Sequence, residues 1–260
     1  MENSEDKHGT GSRGVPQGGF GWWGKLAVVM APIALTFISL GEATDAGFLL
    51  RDMYDEMYSV LSKQPEYDVI EGLHVGNTEE YVIELAGMPE VSRHLSDGTT
   101  AKYIMRGDYL LTLLFDEGRL TAYTVTVLND EFTPDCDVFM DEKLKLGSFT
   151  YADIPIDVTT HEVDVSSHSQ YYVESYDAGR AGHFLQAYLG SINFGVGEMP
   201  DDVTSLYNVS LGAPASMIEN AKAELRRTGR PNFYGRGELQ LAQIIESLLT
   251  RSEFAAYFSK

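Results

Sequence analysis

The sequence predicts an α+β protein: one N-terminal transmembrane helix, then a helix and an antiparallel β-meander that is open to duplication, with helices at the C-terminal end. Three observations carry that prediction. Residues 26–40 hold no charge. Four short strand-like runs between residues 91 and 128 are divided by turn residues. Two stretches after residue 200 repeat apolar residues at helical spacing. The composition, 43% hydrophobic and 22% charged over 260 residues, is that of a globular chain with one domain or two small ones. Its one cysteine, Cys136, excludes an internal disulfide framework and any multi-cysteine zinc site. A net charge of −20 excludes general nucleic-acid binding, because phosphate contacts need a basic face.

Residues 1–21 are polar and glycine-rich and read as a disordered cytoplasmic tail. The Gly9-x-Gly11-x-x-Gly14 spacing there has no strand before it and no helix after it, as dinucleotide binding requires. Residues 22–41 read as the membrane helix, through which the chain meets the bilayer. The nineteen residues 23–41, at ~1.5 Å each, cover roughly the thickness of the hydrocarbon core. Trp22 and Trp23 suit the interface, Lys25 can snorkel, and Pro32 is tolerated in a spanning helix. A cleaved signal peptide competes with this reading, but only Ser39-Leu40-Gly41 resembles a cleavage site. A buried core helix is the third reading; it would be apolar on one stripe, whereas this run is apolar all round. Lys7, Arg13 and Lys25 precede the span and Glu42 and Asp45 follow it, which places the N-terminus in the cytoplasm and the larger part outside. Residues 42–68 read as an amphipathic helix or stalk, with Leu49, Met53, Met57 and Val60 on one side and Gln64-Pro65 ending it.

Residues 69–200 read as the sheet domain. Asn77 and Glu80 have the spacing of a capping box, Tyr81, Val82 and Leu85 form an apolar face, and Gly87 and Pro89 stop the helix. The runs Val91–His94, Ala101–Arg106, Tyr109–Phe115 and Leu120–Leu128 follow, with turns at Ser96-Asp97-Gly98, Gly107-Asp108 and Asp116-Glu117-Gly118. The third run is apolar on both faces and should be a central strand with a helix over one face. Residues 129–145 form an acidic connector. Strand-like runs at 159–165, 169–176 and 183–189 come next. The stretch from Gly147 to Pro155 echoes the one that begins at Gly76. A tandem duplication and a single domain with an extended sheet are both open.

Val75, Gly76, Thr78, Val82, Leu85, Gly87 and Pro89, followed by Tyr103 in a strand and Phe115, Asp116 and Gly118 at a strand end, carry a resemblance. This stretch resembles the BamE/SmpA-type outer-membrane lipoproteins and the β-lactamase-inhibitory-protein fold. The match covers under a quarter of the chain, and it departs from those lipoproteins in having no lipobox cysteine. The whole chain also resembles uncharacterised single-pass bacterial membrane proteins, which implies a bacterial inner membrane, with the C-terminal domain extracytoplasmic, and no activity. The sheet resemblance implies a surface of adaptor or inhibitor type.

Residues 201–260 read as a helical segment. Ser216 and Glu219 suggest a capping box, Met217–Arg227 a helix with Gly229 and Pro231 as its stop, and residues 238–250 a second helix that runs on toward Phe258. Charge is uneven: residues 42–200 hold 9 basic and 29 acidic groups, whereas 201–260 hold 7 of each.

Two groups of residues are candidates for binding. Tyr172, Tyr176 and Tyr188 belong to an aromatic-rich sheet region that reads as core or as a partner-binding face. Tyr172 and Tyr176 share strand parity with Glu174. Arg226, Arg227 and Arg230 lie in a basic cluster that also includes Lys222 and Arg236. The cluster is expected to complement the acidic sheet domain internally; contact with anionic lipid is the alternative. In the stretch from His161 to His168, strand parity puts His161 with Val163, and Glu162 with Asp164 and His168, two carboxylates and a histidine that could face a divalent metal. Cys136 lies between two aspartates, where a thiolate is disfavoured. The expectation is a membrane-anchored envelope protein that binds another protein, with no cofactor, metal or catalytic residue assigned. The alternative is a metal-dependent or hydrolytic enzyme that uses residues 161–168.

Overall fold

The structure, a computed structural model, describes residues 63–136, 144–177 and 185–258. The tail expected at 1–21, the membrane helix expected at 22–41 and the stalk up to residue 62 lie outside the described residues. Among the described residues no helix is long and apolar enough to cross a membrane. They form an α+β fold: an eight-stranded antiparallel sheet with flanking helices.

Helix α1 (Gln64–Glu71) begins where the sequence suggested a helix end. Pro65 lies in its first turn, where the missing N–H costs nothing and the fixed φ fits the helix. Helix α2 (Glu79–Ala86) is capped one residue later than expected. Thr78 accepts from the Tyr81 N–H, while the Asn77 side chain accepts from the His74 N–H and closes the preceding turn. Gly87, at φ +92°, ends α2. Strands β1 (Val91–His94), β2 (Thr100–Met105), β3 (Tyr109–Asp116) and β4 (Arg119–Val127) then form the expected meander, each within a residue or so of its expected bounds. Glu117 and Gly118 both have positive φ, the geometry of a two-residue hairpin turn between β3 and β4. Every residue of β3 before Asp116 is buried.

The acidic connector contains a short ribbon of β5 (Asp135–Cys136) and β6 (Leu144–Lys145). After a 3-10 turn, Tyr151–Asp153, capped by Thr150, the chain forms β7 (Thr160–Val165), β8 (Gln170–Asp177) and β9 (Gln186–Ile192). The third of these lies three residues beyond its expected start. Two helices, α3 (Asp202–Ser210) and α4 (Ala215–Thr228), come before β10 (Phe233–Gly237). The chain ends with α5 (Leu241–Ser247) and α6 (Arg251–Phe258).

The stretch read as wholly helical therefore supplies a strand. The strand order is β1-β2-β3-β4-β10-β9-β8-β7, so β10 lies in the middle of the sheet and pairs with β4 on one side and β9 on the other. Two four-stranded meanders meet at the β4–β10 seam. Ser216 lies inside the first turn of α4 rather than capping it, with Pro214 at the N-cap. The expected single C-terminal helix is broken at 248–250. There the Thr250 hydroxyl accepts from the Glu253 N–H, and the Glu253 carboxylate accepts from the Thr250 N–H at 2.8 Å, a reciprocal cap that starts α6.

Both faces of the sheet are covered. One core, with Val82, Leu111, Val125, Leu189, Leu206 and Leu225, joins helices α2, α3 and α4 to the first face. The other, with Tyr103, Leu114, Phe233, Leu241, Ile244 and Leu249, puts the α5 region on the second. Strand registers set one cross-strand row on that second face: Thr160, Ser175, Tyr188, Gly235, Thr124, Thr112 and Tyr103. Tyr103 and Tyr188 donate from this row to the carbonyls of Ser247 and Leu239, at the two ends of α5. Arg93 of β1 donates to the Glu246 and Leu248 carbonyls, and α5 also packs on β7. A flat sheet of eight strands would hold β1 and β7 about 34 Å apart. A seven-residue helix is only about 10 Å long. The sheet therefore curls around α5.

Candidate functional site

Tyr172 and Tyr176 lie on the first face of β8 and are fully buried. Between them is Glu174, 0% exposed. Both phenols donate to its carboxylate, and Arg226 reaches it from α4 with Nη1 2.9 and 3.0 Å from the two oxygens. The other guanidinium nitrogen donates to the Tyr151 carbonyl at 2.8 Å, and the Tyr151 hydroxyl bonds Ser191 at 2.8 Å. Burial pushes the Glu174 carboxyl above its ordinary range, against the opposing pull of the two phenols and Arg226. The same burial holds Tyr172 and Tyr176 protonated.

These tyrosines thus form an internal polar knot and present no surface to a partner, because each spans the gap between sheet and helix. Strand parity already grouped them with Glu174; the arginine that completes the knot comes from 52 residues further along, a distance no local pattern reports. Tyr188, also buried, points to the second face and holds the start of the α5 segment. Arg226 is internal, as the charge contrast suggested. Arg227 pairs with Glu224 on the exposed side of α4, and Arg230 donates to the Gly147 carbonyl at 3.4 Å. The six residues therefore occupy four places rather than one site.

Residues 161–168 are also divided. His161 faces α4, where burial and the nearby Lys222 lower its pKa, while Glu162 and Asp164 lie on the other face. Among the described residues, no three His, Cys, Asp or Glu side chains converge as a metal site would need. Cys136 is fully buried, and burial pushes its thiol well up, with Asp135 adding to the effect.

Two features were not read from the sequence. The first is a cleft of about 650 Å³ at the β4–β10 seam, on the first face of the sheet. Tyr123, Tyr234 and Arg236 form its floor, and the end of α1 with the following loop, Asp135 and Leu185 form its walls. The registry of β4 against β10 assembles that floor. The second is the tip of the α3–α4 hairpin. From Leu211 to Met217 the chain reads Leu-Gly-Ala-Pro-Ala-Ser-Met, without a charge. Leu211 is 70% exposed and Met217 51%.

No family model and no curated protein sequence matches the chain. Among solved structures it is similar to a cysteine-rich secretory protein from Staphylococcus aureus, with 11% identity, 57% of this chain covered and a TM-score of 0.23. The chain spans 61% of that protein's length, and the likeness is too slight to carry fold or function across.

Proposed function

We propose that the protein is a non-catalytic, membrane-anchored envelope protein whose extracytoplasmic domain binds a protein partner, as an adaptor or inhibitor does. The observation that supports this reading is the uncharged apolar tip of the α3–α4 hairpin. The chain carries a net charge of −20, yet at the uncharged tip Leu211 and Met217 are both exposed. Exposed apolar side chains grouped at one projecting point suit a partner's groove better than they suit water. The anchor at 22–41 would hold the domain within reach of other envelope proteins.

A photo-crosslinking residue in place of Leu211, in cells with native membranes, tests this. A discrete protein adduct is expected that is missing when the probe replaces Tyr257, another exposed apolar side chain. The pair Leu211→Asp and Met217→Asp should weaken recovery of that partner by about tenfold or more. Stability should stay within about 0.5 kcal/mol of the parent, since neither side chain is in the core. Lipid adducts alone, or equal protein adducts from both probe positions, would refute the proposal.

A further inference from the structure

We propose that the outer edge of β7 is a docking site for an extended basic segment of another protein, which joins the eight-stranded sheet as a further antiparallel strand. The inference does not rest on the hairpin tip, so either can fail alone.

The main chain of β7 is paired on one side only. It is the last strand of the sheet, and among the described residues no strand lies beyond it. Asp164 stands opposite Tyr171, and the turn at the end of this ladder is closed by the Ser166 N–H, which donates to the Ser169 carbonyl at 2.9 Å. Antiparallel ladders alternate, so Thr160, Glu162 and Asp164 turn their main-chain groups to β8, and His161, Val163 and Val165 turn theirs outward. Among the described residues nothing bonds those outward N–H and C=O groups. The six residues of β7 run in unbroken register, with no proline and no bulge to blunt the edge. Its guard is charge instead. The opposite edge strand, β1, has only four residues.

That charge selects the occupant. Glu162 is exposed and Asp164 half-buried, side by side on the second face, and neither has a basic partner among the described residues. Both lie close to Tyr171 on β8, whose phenol is pushed up to about 12, by burial first and then by these two carboxylates. A second copy of this chain does not fit. Pairing β7 with itself about Val163 sets each Glu162 opposite an Asp164, like charge on like charge. A strand with Lys or Arg at alternate positions meets both acids instead. Its intervening side chains fall on the first face beside Val163 and Val165, which already pack against the core there, so β-branched residues suit those places. The net charge of −20 draws such a segment in from solution.

The probe is the peptide Thr-Lys-Val-Lys-Val-Lys-Thr, blocked at both ends and labelled with a fluorophore, titrated by anisotropy against the full-length chain in detergent. Saturable binding is expected. Methylating the two valine nitrogens keeps every charge and removes donors that would face β7, and should weaken binding by about tenfold or more. Glutamate in place of lysine should abolish it. On the protein, Val163→Pro removes an outward N–H and no bond of the β7–β8 ladder. The circular dichroism spectrum should therefore be unchanged while peptide binding falls by about tenfold or more. Glu162→Gln with Asp164→Asn leaves the main chain intact, and should weaken binding by about threefold to tenfold and reduce its salt dependence. The proposal is overturned if the peptide shows no saturable binding up to about 1 mM, if the methylated peptide binds as well as the unmethylated one, or if the double charge variant binds as tightly as the parent. A parent that is dimeric in gel filtration and turns monomeric with Val163→Pro would assign the edge to a second copy and overturn it as well.

Discussion

At the scale of single residues, the most consequential group is Glu174. Its carboxylate is out of contact with water and held by three donor atoms through four contacts: one from each of two phenols and two from one Arg226 nitrogen. Removing the arginine leaves a buried charge with no counter-ion. Arg226→Met should therefore cost about 3–5 kcal/mol, measured by denaturant unfolding. A loss below about 1 kcal/mol would mean that the phenols alone hold the carboxylate. The pH dependence follows from the same burial. Because the folded-state pKa of Glu174 lies above its ordinary 4.5, the folded protein binds the extra proton just above that pH. The Glu174 contribution to stability is then greatest below about 4.5 and is lost as pH rises through the folded-state value. His161 works in the other direction: its lowered pKa gives a contribution present above 6.5 and lost as pH falls through the folded-state value. Comparing the parent with Glu174→Gln across that range isolates the first effect. The stability difference between them should decline as pH rises from about 4.5, and a flat difference would remove the carboxyl from the account.

At the scale of elements, β10 joins the two meanders, and its glycines show how tightly. A Cβ on Gly235 would lie 2.6 Å from both the Thr124 side chain and the Tyr123 carbonyl, and one on Gly237 would collide with Ala122. Gly237→Ala should destabilise by about 2–4 kcal/mol, because backbone on β4 has no room to retreat. Gly107→Ala, where nothing lies within 4 Å, should be neutral within about 0.5 kcal/mol. Equal effects at the two positions would contradict the close approach of the seam. The same glycines explain why β10 was illegible in the sequence. Phe233-Tyr234-Gly235-Arg236-Gly237 has two glycines in five residues, a composition of turns rather than of strands. Its place in the sheet is imposed by β4 and β9 on either side. The first meander was legible because alternation and turn residues are local signals: Asp116-Glu117-Gly118 names its own hairpin. The cleft was not, because Tyr123, Asp135 and Arg236 meet only after the registry of distant strands is set. Glu174 fell between these cases. Its alignment with Tyr172 and Tyr176 follows from strand parity, and its arginine does not.

At the scale of the whole molecule, the question is what closes the sheet. The two meanders share only the β4–β10 ladder, yet the far edges β1 and β7 both reach α5. That helix buries Leu241 and Ile244, and Leu249 follows it into the same core. Its ends are held through main-chain carbonyls by Tyr103 and Tyr188, which stand in one row across the sheet. The row already carries two buried hydroxyls without partners, on Thr124 and Ser175, so this face is not stabilised by its own polar groups. A chain that stops at Gly237 keeps every strand but loses the helix around which the sheet curls. Tyr103 and Tyr188 would lose their acceptors, and Leu110, Leu114, Phe233 and Val173 would meet water. The expected outcome is a protein with strand content near the parent's in far-ultraviolet circular dichroism that binds the dye ANS strongly, self-associates in gel filtration and melts well below the parent. Restoring α5 and the break after it, with the chain ending at Thr250, should recover most of the lost stability, because α6 has no buried residue. A truncation at Gly237 that stays monomeric, excludes ANS and melts with the parent would show that the curl belongs to the strands themselves.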